Sequence, residues 1–149
     1  MKTGDLCKRQ PVTATPEATL CQVAVLMRAN HVGSVVIVDA AGKPVGIITD
    51  RDIVVEVVAA QLDPRSVKVG EVMSRHPTLA LATDDASWSL KVMRDRGVRR
   101  LPVMDEGGAL VGLVALDDLL ESAASGLVDV VQAIGTERLI EGQRRRVPA

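Results

Sequence analysis

The 149 residues carry a formal net charge of −1, so no general field draws in nucleic acid or an anionic membrane. No apolar run approaches the roughly 18 residues a membrane span needs, and Met1-Lys2-Thr3-Gly4-Asp5 leads into no apolar signal segment. Hydrophobic residues make up 47%, enough for a sizeable core, but Phe and Tyr are absent and Trp88 stands alone, so a planar ligand would lie between aliphatic walls.

In chain order, Val12-Thr13-Ala14 reads as a short extended segment after Pro11. Thr15-Pro16-Glu17 predicts a helix start, with Thr15 as N-cap and Pro16 in the first turn. Leu20, Val23, Ala24 and Met27 follow at the spacing of a buried helical face. The β-branched run Val35 to Val38 predicts a strand buried on both faces. Asp39-Ala40-Ala41-Gly42 is a turn, and Val45 to Ile48 the returning strand. Thr49 or Asp50 caps a second helix through Ala60, apolar at Ile53, Val54, Val57 and Val58. After a linker around Asp63-Pro64 the pattern restarts at Val69-Gly70-Glu71-Val72-Met73. It continues with a helix apolar at Ala86, Leu90 and Met93, a strand from Leu101 to Met104, a strand from Leu110 to Val114, and a helix from Leu116. Leu127, Val130, Val131 and Ile134 form a further amphipathic stripe, and Arg144-Arg145-Arg146 reads as a solvated tail.

The restart is a tandem repeat at an offset of 66: Gly4 falls on Gly70, Arg9 on Arg75, Pro11 on Pro77, Met27 on Met93, Val45-Gly46 on Val111-Gly112 and Asp52 on Asp118. A slip of about one residue is expected between Ala80 and Leu90. The limits are repeat one at 1–62, linker at 63–68, repeat two at 69–124 and a helical extension with basic tail at 125–149. A repeat of about 60 residues alone would bury only about 60% of its unfolded surface, so the halves are expected to share a core. Cys7 and Cys21 form no disulfide framework, and a reducing cytoplasm is expected.

Gly46-Ile47-Ile48-Thr49-Asp50-Arg51-Asp52-Ile53 resembles the G-h-h-T-x-x-D-h signature (h, hydrophobic) of CBS domains, named for cystathionine β-synthase. Gly112-Leu113-Val114-Ala115-Leu116-Asp117-Asp118-Leu119 is its second copy, with Ala115 in place of the threonine. Val98-Arg99-Arg100-Leu101-Pro102-Val103 is similar to the family's strand-entry sequence, and Val32-Gly33-Ser34-Val35 is a weaker copy. The resemblance covers roughly residues 3 to 124. It implies an α+β module of two tandem β-α-β-β-α repeats about a pseudo-two-fold axis, with a short C-terminal helical extension. It also implies a non-catalytic regulatory role, binding AMP, ADP, ATP, NAD or S-adenosylmethionine in clefts between the repeats, AMP or ATP foremost. An unidentified regulated protein would read the bound state.

Residue chemistry agrees with that use. One ionised carboxylate can accept from both hydroxyls of a ribose. Asp52 and Asp118 stand at helix starts, where the dipole favours negative charge and Thr49 adds a hydroxyl beside phosphate. The first-motif cleft is expected to hold Val12, Val32, Ile47, Thr49, Arg51 and Asp52. The second is expected to hold Thr78, Val98, Arg99, Arg100, Leu113 and Asp118, although the two guanidinium groups could reach either cleft. An aspartate in a first helical turn is by itself most often a cap, and Thr49 can be one too. The glycines of the two motifs can serve close packing instead of a ligand.

His31, His76, Cys7 and Cys21 have no metal-ligand spacing, and no metal is expected. No G-x-S-x-G, P-loop, H-E-x-x-H or G-x-G-x-x-G occurs, which argues against an enzyme. Val54, Val57 and Val58 with Leu119, Leu120 and Ala123 predict a homodimer face. The alternative reading is a ligand-free module for protein–protein interaction or dimerisation.

Overall fold

The offset of 66 holds for the start of every pair of equivalent segments but one in a computed structural model that describes residues 1–144; the exception, a two-residue strand, differs by one residue in its bounds. Repeat one comprises α1 (Thr3–Leu6), β1 (Lys8–Arg9), β2 (Thr13–Ala14), α2 (Leu20–Asn30), β3 (Ser34–Val38), β4 (Pro44–Thr49) and α3 (Asp50–Ile53), which runs into a π-helical turn at Val54–Val58. Repeat two comprises α4 (Val69–Val72), β5 (Ser74–Arg75), β6 (Ala80–Leu81), α5 (Ala86–Arg96), β7 (Arg100–Met104), β8 (Leu110–Ala115) and α6 (Leu116–Arg144). The expected slip near Ala80 does not occur. Ala14 opposes Ile37 and Ala80 opposes Val103, while Val23 and Ser89 are both fully buried. Leu90 is exposed, and Ser89 holds the inward position.

Each sheet borrows a strand. One sheet runs β2-β3-β4-β5 and the other β6-β7-β8-β1, so each repeat's first strand closes the other repeat's sheet. β5 lies antiparallel on β4, with Ile47 opposite Ser74, and β1 lies likewise on β8, with Leu113 opposite Lys8. The expected shared core is therefore two cores, each built from both repeats. Val69 and Met73 pack with Leu20, Val23, Ile37 and Ile48, while Cys7 packs with Met93, Leu101, Val103 and Val114.

The pseudo-two-fold axis is written in backbone hydrogen bonds. Thr3 N–H donates to Asp84 O and Val69 N–H to Ala18 O, both at 2.8 Å; Gly4 N–H donates to Ala82 O and Gly70 N–H to Pro16 O, both at 3.0 Å. A Cβ on Gly4 would come within 3.0 Å of the Ala82 carbonyl, and one on Gly70 within 3.0 Å of Pro16. Glycine lets the two chains approach this closely. Gly46 and Gly112 do the same against Met73 and Cys7, so these motif glycines serve packing.

Local signals explain most boundaries. α2 begins at Leu20, not at Thr15, because Thr19 forms a reciprocal capping box: Gln22 N–H donates to Thr19 Oγ1, and Thr19 N–H donates to Gln22 Oε1. Ala24, expected inside, is exposed, while Leu20, Val23 and Met27 are buried. In the π turn, Ala59 N–H donates to Val54 O five residues back. That widening leaves Val57 buried and turns Val54, Val55 and Val58 outward. The extension is no separate helix, since α6 continues unbroken through it. Its stripe of Leu127, Val130, Val131 and Ile134 is exposed. Arg144 ends α6, and Arg145 and Arg146 lie outside the described residues. No helix among the described residues is long and apolar enough to cross a membrane.

Candidate functional site

The end of β4 delivers Ile47 and Thr49 to a cleft, and α3 adds Arg51 and Asp52. Thr49 and Asp52 cap one another: Asp52 N–H donates to Thr49 Oγ1 at 3.2 Å, and Thr49 N–H donates to Asp52 Oδ2 at 2.8 Å. The capping role expected of such residues is realised, and it leaves Asp52 Oδ1 without a hydrogen bond among the described residues. A half-buried carboxylate held this way keeps one oxygen and the spare lone pair of the other available to donors.

The opposite wall comes from repeat two. Because β5 pairs with β4, the chain leaving it carries His76, Pro77 and Thr78 past Ile47. His76 makes that exit with a left-handed backbone, φ 51°, as Gln10 does at the equivalent place. The last turn of α5 supplies Arg96, and the entry to β7 supplies Val98, Arg99 and Arg100. Together these residues line an open cleft of about 540 Å³.

This regroups the sequence-predicted residues. Ile47, Thr49, Arg51 and Asp52 share one cleft with Thr78, Val98, Arg99 and Arg100, which the sequence reading assigned to the other. The strand exchange is the reason. Val12 and Val32, expected in this first cleft, do not line it, and the corresponding strand pairing sets Lys8 opposite Leu113 on the other sheet. Ser74, Arg75, His76, Pro77, Arg96 and Asp50 also line the first cleft and escaped sequence reasoning. The offset did carry a signal for Arg96, which stands where repeat one has Asn30.

The clefts differ in charge. The first has Arg51, Arg75, Arg96, Arg99 and Arg100 against Asp50 and Asp52. The equivalent positions of the second have Lys8 and Arg9 against Asp117 and Asp118, with Asn30, Gly33 and Ser34 where the first has arginines. Arg75 Nη2 donates to Gly70 O at 2.6 Å, and exposed Arg99 Nη2 lies 3.5 Å from Asp117 Oδ1. The guanidinium groups of Arg51, Arg96 and Arg100 make no ion pair or hydrogen bond among the described residues. Capping differs as well. Ala115 N–H donates to Asp118 Oδ2 at 2.8 Å, but Ala115 offers no hydroxyl in return.

Backbone chemistry separates the clefts once more. Val36 N–H donates to Val12 O at 3.0 Å, whereas the equivalent donor position facing Thr78 is Pro102, which has no N–H. The Thr78 carbonyl is thereby relieved of its strand partner.

Models of the CBS domain match residues 4–59 and 69–125. The chain belongs to the CBS-domain family. Its two CBS repeats are 35% identical over 136 residues to the CBS domain-containing protein YhcV of Bacillus subtilis, covering 85% of this chain and 92% of that one. They are 38% identical over 119 residues to an uncharacterised protein of Methanopyrus kandleri, covering 79% of this chain and 60% of the relative. The CBS domain protein of Pyrobaculum aerophilum complexed with AMP superposes with a TM-score of 0.74 at 28% identity, covering 84% of this chain and 99% of its own. Among the described residues, no three His, Cys, Asp or Glu side chains gather as a metal site.

Proposed function

We propose that this CBS pair is a non-catalytic regulatory module that binds an adenosine-bearing ligand in the cleft between Asp52 and Arg100. The observation that carries the reading is one cavity holding a capped carboxylate with a free oxygen, aliphatic walls and unpaired arginines. Asp52 would accept both ribose hydroxyls. Adenine would lie between Ile47, Pro77 and Val98, with its amino group on the Thr78 carbonyl, and phosphate would meet the arginines. The Pyrobaculum relative, which holds AMP, supports this choice of ligand class. The two unpaired cysteines suit a reducing cytoplasm.

A thermal-shift panel of AMP, ADP, ATP, NAD and S-adenosylmethionine tests the reading. Ligand at about 100 times its dissociation constant adds roughly 2.7 kcal/mol, a rise of several degrees in a chain of this size. No shift at millimolar concentration with any of them rejects it.

One observation favours a second reading, an interaction module acting without ligand. Val57 and Leu119, expected on the dimer face, are buried in the two cores, but Val54, Val55, Val58 and Leu120 are exposed, as are Leu127, Val131 and Leu139 along α6. Apolar surface of this extent marks an interaction face, and we propose a homodimer built on it. Light scattering at tens of micromolar that finds only monomer rejects the dimer.

A further inference from the structure

Resting on the adenosine-ligand reading, we propose that the first cleft selects adenosine di- and triphosphates over AMP and over cationic adenosyl ligands such as S-adenosylmethionine. The pseudo-two-fold axis pairs the two clefts position by position. Repeat two has the backbone of repeat one, yet Arg96, Arg99 and Arg100 stand where repeat one has Asn30, Gly33 and Ser34, and Arg51 stands where the other helix start has Asp117. All four substitutions fall on one cleft, and all four add positive charge to it.

The fold leaves most of that charge unpaired. Arg75 is held by the Gly70 carbonyl and Arg99 leans on Asp117, but Arg51, Arg96 and Arg100 have no partner among the described residues. With Asp52 taken up by a ribose, three free guanidinium groups face a single phosphate in AMP. Guanidinium is a planar, permanently charged donor that holds phosphate oxygens bidentately, so a second and third phosphate each find a group that AMP leaves unpaired. A hydrogen bond to a charged group contributes about tenfold or more in affinity, and partial exposure puts the expected gain near tenfold. The sulfonium and ammonium of S-adenosylmethionine bring positive charge into the same field and are disfavoured.

The test is calorimetric titration of the full chain with AMP, ADP, ATP and S-adenosylmethionine without magnesium, on wild type, Arg96→Gln and Arg100→Gln. The expected result is ATP about tenfold or more tighter than AMP, ADP between them and S-adenosylmethionine weakest. Either glutamine substitution should narrow the ATP-to-AMP ratio, because Arg96 lies at an exposed helix end and Arg100 is half-buried at the cleft. AMP binding as tightly as ATP, or S-adenosylmethionine binding more tightly than both, overturns the selectivity and leaves the adenosine reading standing. An unchanged ratio in both variants removes the arginines as its cause. No binding by any of the four brings down both readings.

Discussion

Asp52→Ala and Asp118→Ala form a matched pair that separates capping from ligand binding. Each carboxylate accepts one backbone N–H, Thr49 in one case and Ala115 in the other, and both bonds measure 2.8 Å at half-buried helix starts. Losing either should cost about 1 kcal/mol. That lowers the melting temperature by about 3–4 °C, nearly equally in the two variants. Ligand binding should split them. Asp52 lies in the arginine-lined cavity, where its carboxylate would accept two ribose hydroxyls in charge-assisted bonds of about 1.5–3 kcal/mol each. Its removal is expected to weaken nucleotide binding about a hundredfold or more, whereas Asp118→Ala leaves the tight event nearly intact. Denaturation curves and calorimetry on the same preparations give both numbers. Equal binding losses, or a larger loss for Asp118→Ala, would refute the ranking of the clefts.

Three further outcomes follow from differences between the repeats. Ala115→Thr should stabilise the chain by about 0.5–1 kcal/mol, because Asp118 already supplies half of a capping box and only the hydroxyl is missing; an unchanged or lower denaturation midpoint counts against this. Ser89→Ala should cost about 1–3 kcal/mol by stranding the buried Thr3 hydroxyl now 2.8 Å from Ser89 Oγ. Thr3→Val with Ser89→Val should be close to neutral, because the other core packs Val69 and Val23 at the equivalent positions; a double variant as weak as the single one would show that shape, not hydrogen bonding, decides the site. Burial pushes the Cys7 thiol up, so at neutral pH a maleimide should label half-buried Cys21 first and reach Cys7 readily only in denaturant; equal rates in the native state would contradict the packing of Cys7 under Gly112.

The repeat and its strands were legible because their signals are local: β-branched runs, turn residues, and a motif seen twice. The start of α2 was misread because Thr15-Pro16 imitates an N-terminus, while the Thr19–Gln22 box that sets it lies four residues on. Leu90 was placed inside because the sequence offers no reason to bury a serine; Thr3, 86 residues away, supplies that reason. Ile47, Thr49, Arg51, Asp52, Thr78, Val98, Arg99 and Arg100 all line the Asp52 cavity, but the sequence does not announce that they share it. Assigning Thr78, Val98, Arg99 and Arg100 to the Asp118 cleft assumed that each repeat closes on itself. The exchange of β1 and β5 between sheets is a long-range pairing, and two-residue strands carry almost no pattern that could announce it. Arg96 was missed for the same reason, since at the end of α5 it looks like a cation placed for the helix dipole.

A crystal structure of the chain grown with ATP tests the central claim most directly. The expected result is a nucleotide with its ribose hydroxyls on Asp52, its base against Ile47 and Val98, and its phosphates among Arg51, Arg96 and Arg100. A nucleotide bound only beside Asp118, or an Asp52 cleft left without ligand at saturating ATP, would contradict it.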